Sequence, residues 1–231
     1  MKTGAIDLKE GVVIIGTDTG VGKSLVCAGI VKLLHGAKKV HYWKPIQTGT
    51  MVGDDTATVK NLLSDLPEDT FWEPAYRFPE PLSPHMAAKK WGKTVEMDKL
   101  MDTYQEKRKP GDFVVIEGAG GILIPFNAKH LQLHFLQILA LPMIIVSEDR
   151  VGAINQTLLT LNAARGGHIP ILGVILTRAR RTLGNAEAIS QFGQVEVLAE
   201  VDASEDSRHT IAQVGGNTRL RELFGLAGLP A

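Results

Sequence analysis

The sequence has one cysteine, Cys27, so no internal disulfide can form and a disulfide-stapled secreted scaffold is excluded. It has no net charge. Lys and Arg number 25 and Asp and Glu number 25, which leaves no overall field to hold a polyanion. Nucleic acid and anionic membrane surfaces are therefore not expected as partners. No apolar run approaches the ~18 residues that cross a bilayer. The opening MKTGAIDLKE has no apolar segment of the signal-peptide kind. A reducing, cytoplasmic location is the expectation. What is present is ordinary for a globular chain: 231 residues, 44% hydrophobic and 22% charged, which excludes disorder and a fibrous repeat. The length fits a single domain over residues 1–231.

Short apolar runs bounded by Gly, Pro or charge recur along the chain. They are Gly11–Gly16, Val40–Lys44, Phe113–Glu117, Met143–Ser147, Ile171–Leu176 and Val195–Val201. They lack strict alternation, as strands buried on both faces do. Segments of helical spacing lie between them, at Lys23–Leu34, Asp55–Leu66, Val95–Lys107, Leu131–Leu139, Ala153–Ala164 and Asn185–Phe192. Strand and helix in alternation predict an α/β fold with a mostly parallel central sheet flanked by helices. The stretch Pro67–Pro84 is rich in proline and aromatics and reads as a long non-helical insertion packed on the domain.

The most informative segment is Gly16-Thr17-Asp18-Thr19-Gly20-Val21-Gly22-Lys23-Ser24. It follows an apolar strand and opens a helix, which is the setting of a phosphate-binding loop. Its glycines let successive N–H groups turn inward, and the helix N-terminus completes an anion cradle. Lys23 would reach the outer phosphates and Ser24 would place its hydroxyl on Mg2+. Five residues separate Gly16 from Gly22, where the common spacing has four. The competing reading is an ordinary glycine-rich turn. Cys27, in the helix that follows, reads as a small core residue, with no His or second Cys nearby in sequence to activate it.

Three further clusters suit phosphoryl transfer. Phe113–Gly121 (FVVIEGAGG) ends an apolar strand in Glu117 and continues through Gly118, Ala119 and Gly120. A carboxylate at the carboxyl end of a strand stands where open α/β sheets bind ligands, and it can take Mg2+. Lys44, in KPIQTG, closes the second apolar run, so Lys23 and Lys44 at neighbouring strand ends would neutralise a transferring phosphoryl group. Asp54-Asp55 opens a helical segment. Either aspartate reads as its cap, and Asp55 also as a carboxylate that joins Ser24 and Glu117 around Mg2+.

These motifs together resemble the dethiobiotin synthase family of P-loop NTPases. The resemblance runs in order along most of residues 11–176. It rests on GTDTGVGKS (Gly16–Ser24), KPIQTG (Lys44–Gly49), Asp55, EPLSPH (Glu80–His85), EGAGG (Glu117–Gly121) and VGAINQTLLT (Val151–Thr160). The wide loop spacing is that family's own. The resemblance implies an ATP- and Mg2+-dependent cyclo-ligase of biotin synthesis. Its substrate, 7,8-diaminononanoate, is carbamylated by CO2. The carbamate is phosphorylated by ATP, and the second amine closes a cyclic urea. By the same resemblance Lys44 is the catalytic lysine, and Thr19, Gly20, Val21, Gly22, Lys23, Ser24 and Leu25 line the nucleotide. So do Asp55, Glu117, Gly118, Ala119 and Gly120. Ser24, Asp55 and Glu117 hold Mg2+. Thr48 lies near substrate, and Gly152, Ala153, Ile154 and Asn155 receive its carboxylate across a homodimer interface. The residues alone read the last segment equally as a helix start packed in the core.

The resemblance fades after Leu176. Thr177-Arg178 and Glu200-Val201-Asp202 stand where the family often has Asn-Asp and Glu-Ile-Pro, so a nucleotide other than ATP stays open. Arg178, Arg180 and Arg181 read as a solvated basic loop or as a contact to base or phosphate. His85 reads as a structural or pocket residue, not a metal ligand. Two other classes compete. A nucleotide-switch protein would carry an extra lysine early in the loop, where this chain has Asp18-Thr19. An amidating ligase would need an ammonia source for which the chain has no room.

Overall fold

The computed structural model of the protein describes Leu8 and residues 10–228. The expectation for the opening residues, and both ends of the 1–231 domain span, fall wholly or partly outside them. The first half runs β1 (Gly11–Gly16), α1 (Lys23–Leu34), β2 (Val40–Trp43), β3 (Ile46–Thr48) and α2 (Asp55–Leu62). A 3-10 turn (Glu68–Thr70), β4 (Phe71–Trp72), β5 (Tyr76–Phe78), α3 (Pro84–Lys90) and α4 (Met97–Lys107) follow. Then come β6 (Phe113–Gly121), α5 (Gln132–Leu139), β7 (Met143–Glu148), α6 (Ala153–Gly166) and β8 (Ile171–Ala179). A second 3-10 turn (Arg181–Leu183), α7 (Asn185–Gly193), β9 (Val197–Asp202), α8 (Ser207–Gly215) and α9 (Thr218–Leu223) complete the chain.

Seven strands form one parallel sheet in the order β4-β2-β6-β1-β7-β8-β9, as the α/β pattern predicts. The absence of alternation in the strands has a direct cause. Val13, Ile15, Val114, Ile116, Met143 and Ile145 face a core closed by α3 to α7. Their neighbours Val12, Ile14, Phe113, Val115, Ile144 and Val146 face a second core under α1, α2, α8 and α9. Burying such a side chain stabilises the fold by about 1.5–3 kcal/mol each, before chain entropy is set against it. Gly29 lets α1 meet α8, since a Cβ there would lie 2.5 Å from Cβ of Val214.

Three expectations are corrected. β6 does not end at Glu117. It continues through the glycines to Gly121, so Glu117 sits within the strand, level with Ile14 of β1. β1 and β2 are not neighbours either, because β6 lies between them, and Lys23 and Lys44 approach from either side of that strand. The segment 67–84 is more than a packed insertion. It supplies β4, the outermost strand, and β5, which pairs in parallel with β3. From β1 the chain moves outward to β2 and β4, returns through β6, and then builds β7, β8 and β9 on the other side. Such a reversal leaves a crevice beyond the carboxyl ends of the strands.

Candidate active site

The loop after β1 turns through Gly20 and Gly22, whose φ angles of 74° and 92° belong to the left-handed region that glycine tolerates. Gly22 caps α1, so the free amides of the first turn face the crevice. Lys23 folds back over the loop and donates from Nζ to the carbonyl of Asp18 at 3.0 Å. Burial lowers its pKa, opposed by the Glu117 carboxylate and reinforced by the Lys44 charge. From β8, the Thr177 hydroxyl donates to the Val21 carbonyl at 2.7 Å and ties the loop to the sheet.

Glu117, 1% exposed, is the hub of the site. Its Oε1 accepts from Ser24 Oγ at 3.0 Å and from Lys44 Nζ at 2.9 Å, and its Oε2 accepts from the Tyr42 hydroxyl at 2.8 Å. The Lys44 ammonium also donates to Asp55 Oδ2 and so bridges the two carboxylates. Burial alone would discharge Lys44. The Glu117 and Asp55 carboxylates outweigh it and hold the pKa above the ordinary lysine range. Burial and Glu117 together push the Tyr42 hydroxyl well up, so it stays a donor.

The two aspartates divide their work. Asp54 caps α2, accepting from the Ala57 amide at 2.9 Å, and Asp55 is left free to face Lys44. Gln47 helps to aim Asp55, accepting its main-chain N–H at 3.1 Å. The glycine run of β6 is held by Gln132 at the start of α5. Its side chain accepts from the Ala119 amide at 2.8 Å and donates to the Gly121 carbonyl at 2.8 Å.

A cavity of about 640 Å³ opens over these groups. Thr19, Gly20, Gly22, Lys23, Ser24, Leu25, Lys44, Thr48, Asp55, Glu117, Ala119 and Gly120 line it. Ile46, Val52, Pro81, Leu82 and Ile124 give it an apolar side. Two of the residues expected around the nucleotide lie off the wall. The Val21 side chain belongs to the core, and Gly118 lies against Ile15 and Gln132. Gly152, Ala153, Ile154 and Asn155 do start a helix, α6, but they do not line this cavity within one chain.

The basic run resolves into separate contacts. Two guanidinium nitrogens of Arg178 donate to the Gly20 carbonyl, both at 3.2 Å, and Arg178 pairs with Glu148 at 3.1 Å. The Arg180 main chain donates to Asp149, and Arg181 pairs with Asp202. Cys27 is fully buried and burial pushes its thiol well up, in keeping with an inert core residue. Tyr42 and Gln132 carry no motif, and no signal in a single sequence would have found them; Gln47 lies within KPIQTG, where the motif alone gives it no role. Ser83 and His85, within EPLSPH, meet at 3.0 Å between Oγ and Nδ1. Among the described residues no helix is long and apolar enough to cross a membrane.

Residues 10–210 match the family model described as an AAA domain. The ATP-dependent dethiobiotin synthetase BioD of Paramagnetospirillum magneticum is 37% identical over 192 residues, covering 83% of this chain and 87% of its own. The protein of the same name from Lawsonia intracellularis is 36% identical over 212 residues, covering 91% and 97%. Among solved structures, a McdA–ATP complex from Cyanothece superposes with a TM-score of 0.60 at 16% identity, covering 97% of this chain and all of the other. MinD of Aquifex aeolicus gives 0.58 at 16%, covering 96% and 98%. At such identities the likeness is one of fold.

Proposed function

The chain belongs to the ATP-dependent dethiobiotin synthetase family, and from that premise we propose the reaction it carries out and the part each residue takes. It is a ligase of biotin synthesis that consumes ATP, CO2 and 7,8-diaminononanoate and yields a cyclic urea, ADP and phosphate. A carbamate formed on one amine is a poor electrophile until its oxygen becomes a good leaving group. Phosphorylation by the γ-phosphate of ATP provides that group, as a mixed carbamic–phosphoric anhydride. The second amine then attacks the carbonyl carbon, the ring closes and phosphate departs. Both partners of the phosphoryl transfer are anions, so cations must lie between them.

Lys44 is the catalytic lysine in this reading. The observation that carries it is the Lys44 ammonium set between Asp55 and Glu117, beside the phosphate loop and facing the cavity. Its raised pKa keeps it cationic at neutral pH. Lys23 would exchange the Asp18 carbonyl for phosphate oxygens, since both are acceptors at the same loop. The amides from Gly20 to Leu25 and from Glu117 to Gly120 would line the nucleotide, with Thr19 and Thr48 near the reacting groups. Ser24, Asp55 and Glu117 fit Mg2+: all are hard oxygen donors, the two carboxylates already converge on the Lys44 ammonium, and the Ser24 hydroxyl bonds to Glu117. Mg2+ bound there would neutralise phosphate charge.

Gly152, Ala153, Ile154 and Asn155 would receive the substrate carboxylate from a second copy of the chain, at the amino end of α6. Supporting that reading, Val151 is 83% exposed and Leu159 61% exposed. The whole is a single-domain homodimer of the cytoplasm. The test is incubation with the diamine, bicarbonate, Mg2+ and each nucleoside triphosphate in turn, with the cyclic urea read by mass. Formation with ATP supports the reading. ATP hydrolysis without cyclic urea, stimulated by DNA or lipid, would refute it.

A further inference from the structure

We propose that Ser83 takes the proton released when the second amine closes the ring, and passes its own hydroxyl proton to Nδ1 of His85. The inference rests on the cyclo-ligase reading above and names the base that reading leaves unassigned. Ser83 occupies the N-cap position of α3, where a serine hydroxyl ordinarily accepts from a main-chain amide of the first turn. Here it makes no such bond. Its Oγ lies instead 3.0 Å from Nδ1 of His85, and Ser83 lines the same cavity as Lys44, Asp55 and Glu117. The His85 main chain is fixed by donating to the Pro125 carbonyl at 3.3 Å.

The carboxylates of the cavity already hold donors. Glu117 takes three donors, from Ser24, Tyr42 and Lys44, and Asp55 takes the Lys44 ammonium. Lys23 and Lys44 surround the phosphates with charge. Ser83 stands apart from that network, beside Pro81 and Leu82, where an apolar wall favours a neutral amine. In the closing step the amine nitrogen bonds to the carbonyl carbon of the anhydride. The carbon–oxygen bond to phosphate breaks, and phosphate leaves with the electron pair. The nitrogen, now positively charged, loses its proton to Ser83 Oγ as the hydroxyl proton moves to His85 Nδ1. Ser83 is then the catalytic residue, and His85 positions it and stores the proton.

The experiment measures cyclic urea and released phosphate together in the wild type, Ser83→Ala, His85→Gln and Ser83→Thr. The proposal expects kcat for cyclic urea to fall by about 10²-fold in the first two variants, the usual contribution of a positioned acid or base. KM for ATP should hold. Phosphate should exceed cyclic urea, because an anhydride that waits for its amine is lost to water. Ser83→Thr keeps the hydroxyl and should restore one phosphate per cyclic urea. Ser83→Ala loses the bond to His85 but no cap bond, so thermal melting should fall only slightly. Wild-type kcat in Ser83→Ala, or equal loss of both products with their ratio held at one, would overturn the proposal. A wild type that forms no cyclic urea would instead sink the ligase reading.

Discussion

Lys44 is 5% exposed and its ammonium is shared by Asp55 and Glu117, so replacing it has two separable consequences. From the motif alone, Lys44→Gln is expected to leave folding intact and to cost ~10²–10³ in turnover, as loss of one preorganised charge does. The buried pairing adds a stability loss of roughly 3 kcal/mol, because one partner of a buried ion pair goes while the other stays. Product assays and urea melts separate the two. The pH dependence has a definite sign. Lys44 has its pKa raised on folding, so its contribution is complete below the unfolded lysine value of ~10.4 and fades as pH rises through the folded value. The stability gap between wild type and Lys44→Gln should hold from pH 7 to about 10 and narrow only above that. Cys27 gives a second check. With its thiol buried and its pKa pushed up, it should resist a thiol reagent at pH 8 in the native protein and react at once in denaturant. At this scale the residues that carry a motif were legible, since glycine spacing, Lys23-Ser24 and a carboxylate after an apolar run each have a local meaning. Tyr42 was not legible. Its partner Glu117 is 75 residues away, and only the pairing of β2 with β6 brings them together.

Helix α1 was readable to its bounds, because Gly22 stops the loop and the apolar spacing runs unbroken from Leu25 to Leu34. The strands β4 and β5 were not readable. Two and three residues are too few to show a period, and they are strands because β2 and β3 offer them an edge. The end of β6 was misjudged for a related reason: glycines signal a turn in isolation, while here Gln132 and β1 keep them in the strand across a register shift, with Gly120 at a φ of 60°. Helix packing gives the sharpest prediction at this scale. Gly29→Ala would press a methyl against Cβ of Val214 at 2.5 Å and near the Ile211 carbonyl at 3.2 Å, neither the free end of a long side chain. The expected cost is about 1–3 kcal/mol. Scanning calorimetry should find a lower melting temperature, with turnover per folded molecule unchanged, because no residue of α8 lines the cavity.

The molecule as a whole places its polar machinery on the carboxyl side of the sheet and leaves Val151 and Leu159 of the α6 region uncovered. Sedimentation should find a dimer, and Leu159→Glu should shift it toward monomer and reduce turnover, if active sites borrow α6 from a second copy. A monomeric wild type with full activity would remove that part of the account. The central claim is that a carbamate oxygen is phosphorylated under the cations Lys23 and Lys44, and an isotope reads it directly. With 18O-labelled bicarbonate, the diamine and unlabelled ATP in unlabelled water, and short reaction times, the released phosphate should carry one 18O atom for each cyclic urea formed. Phosphate free of label, with the cyclic urea still produced, would show that the γ-phosphate never passed to the carbamate, and the account would be wrong at its centre.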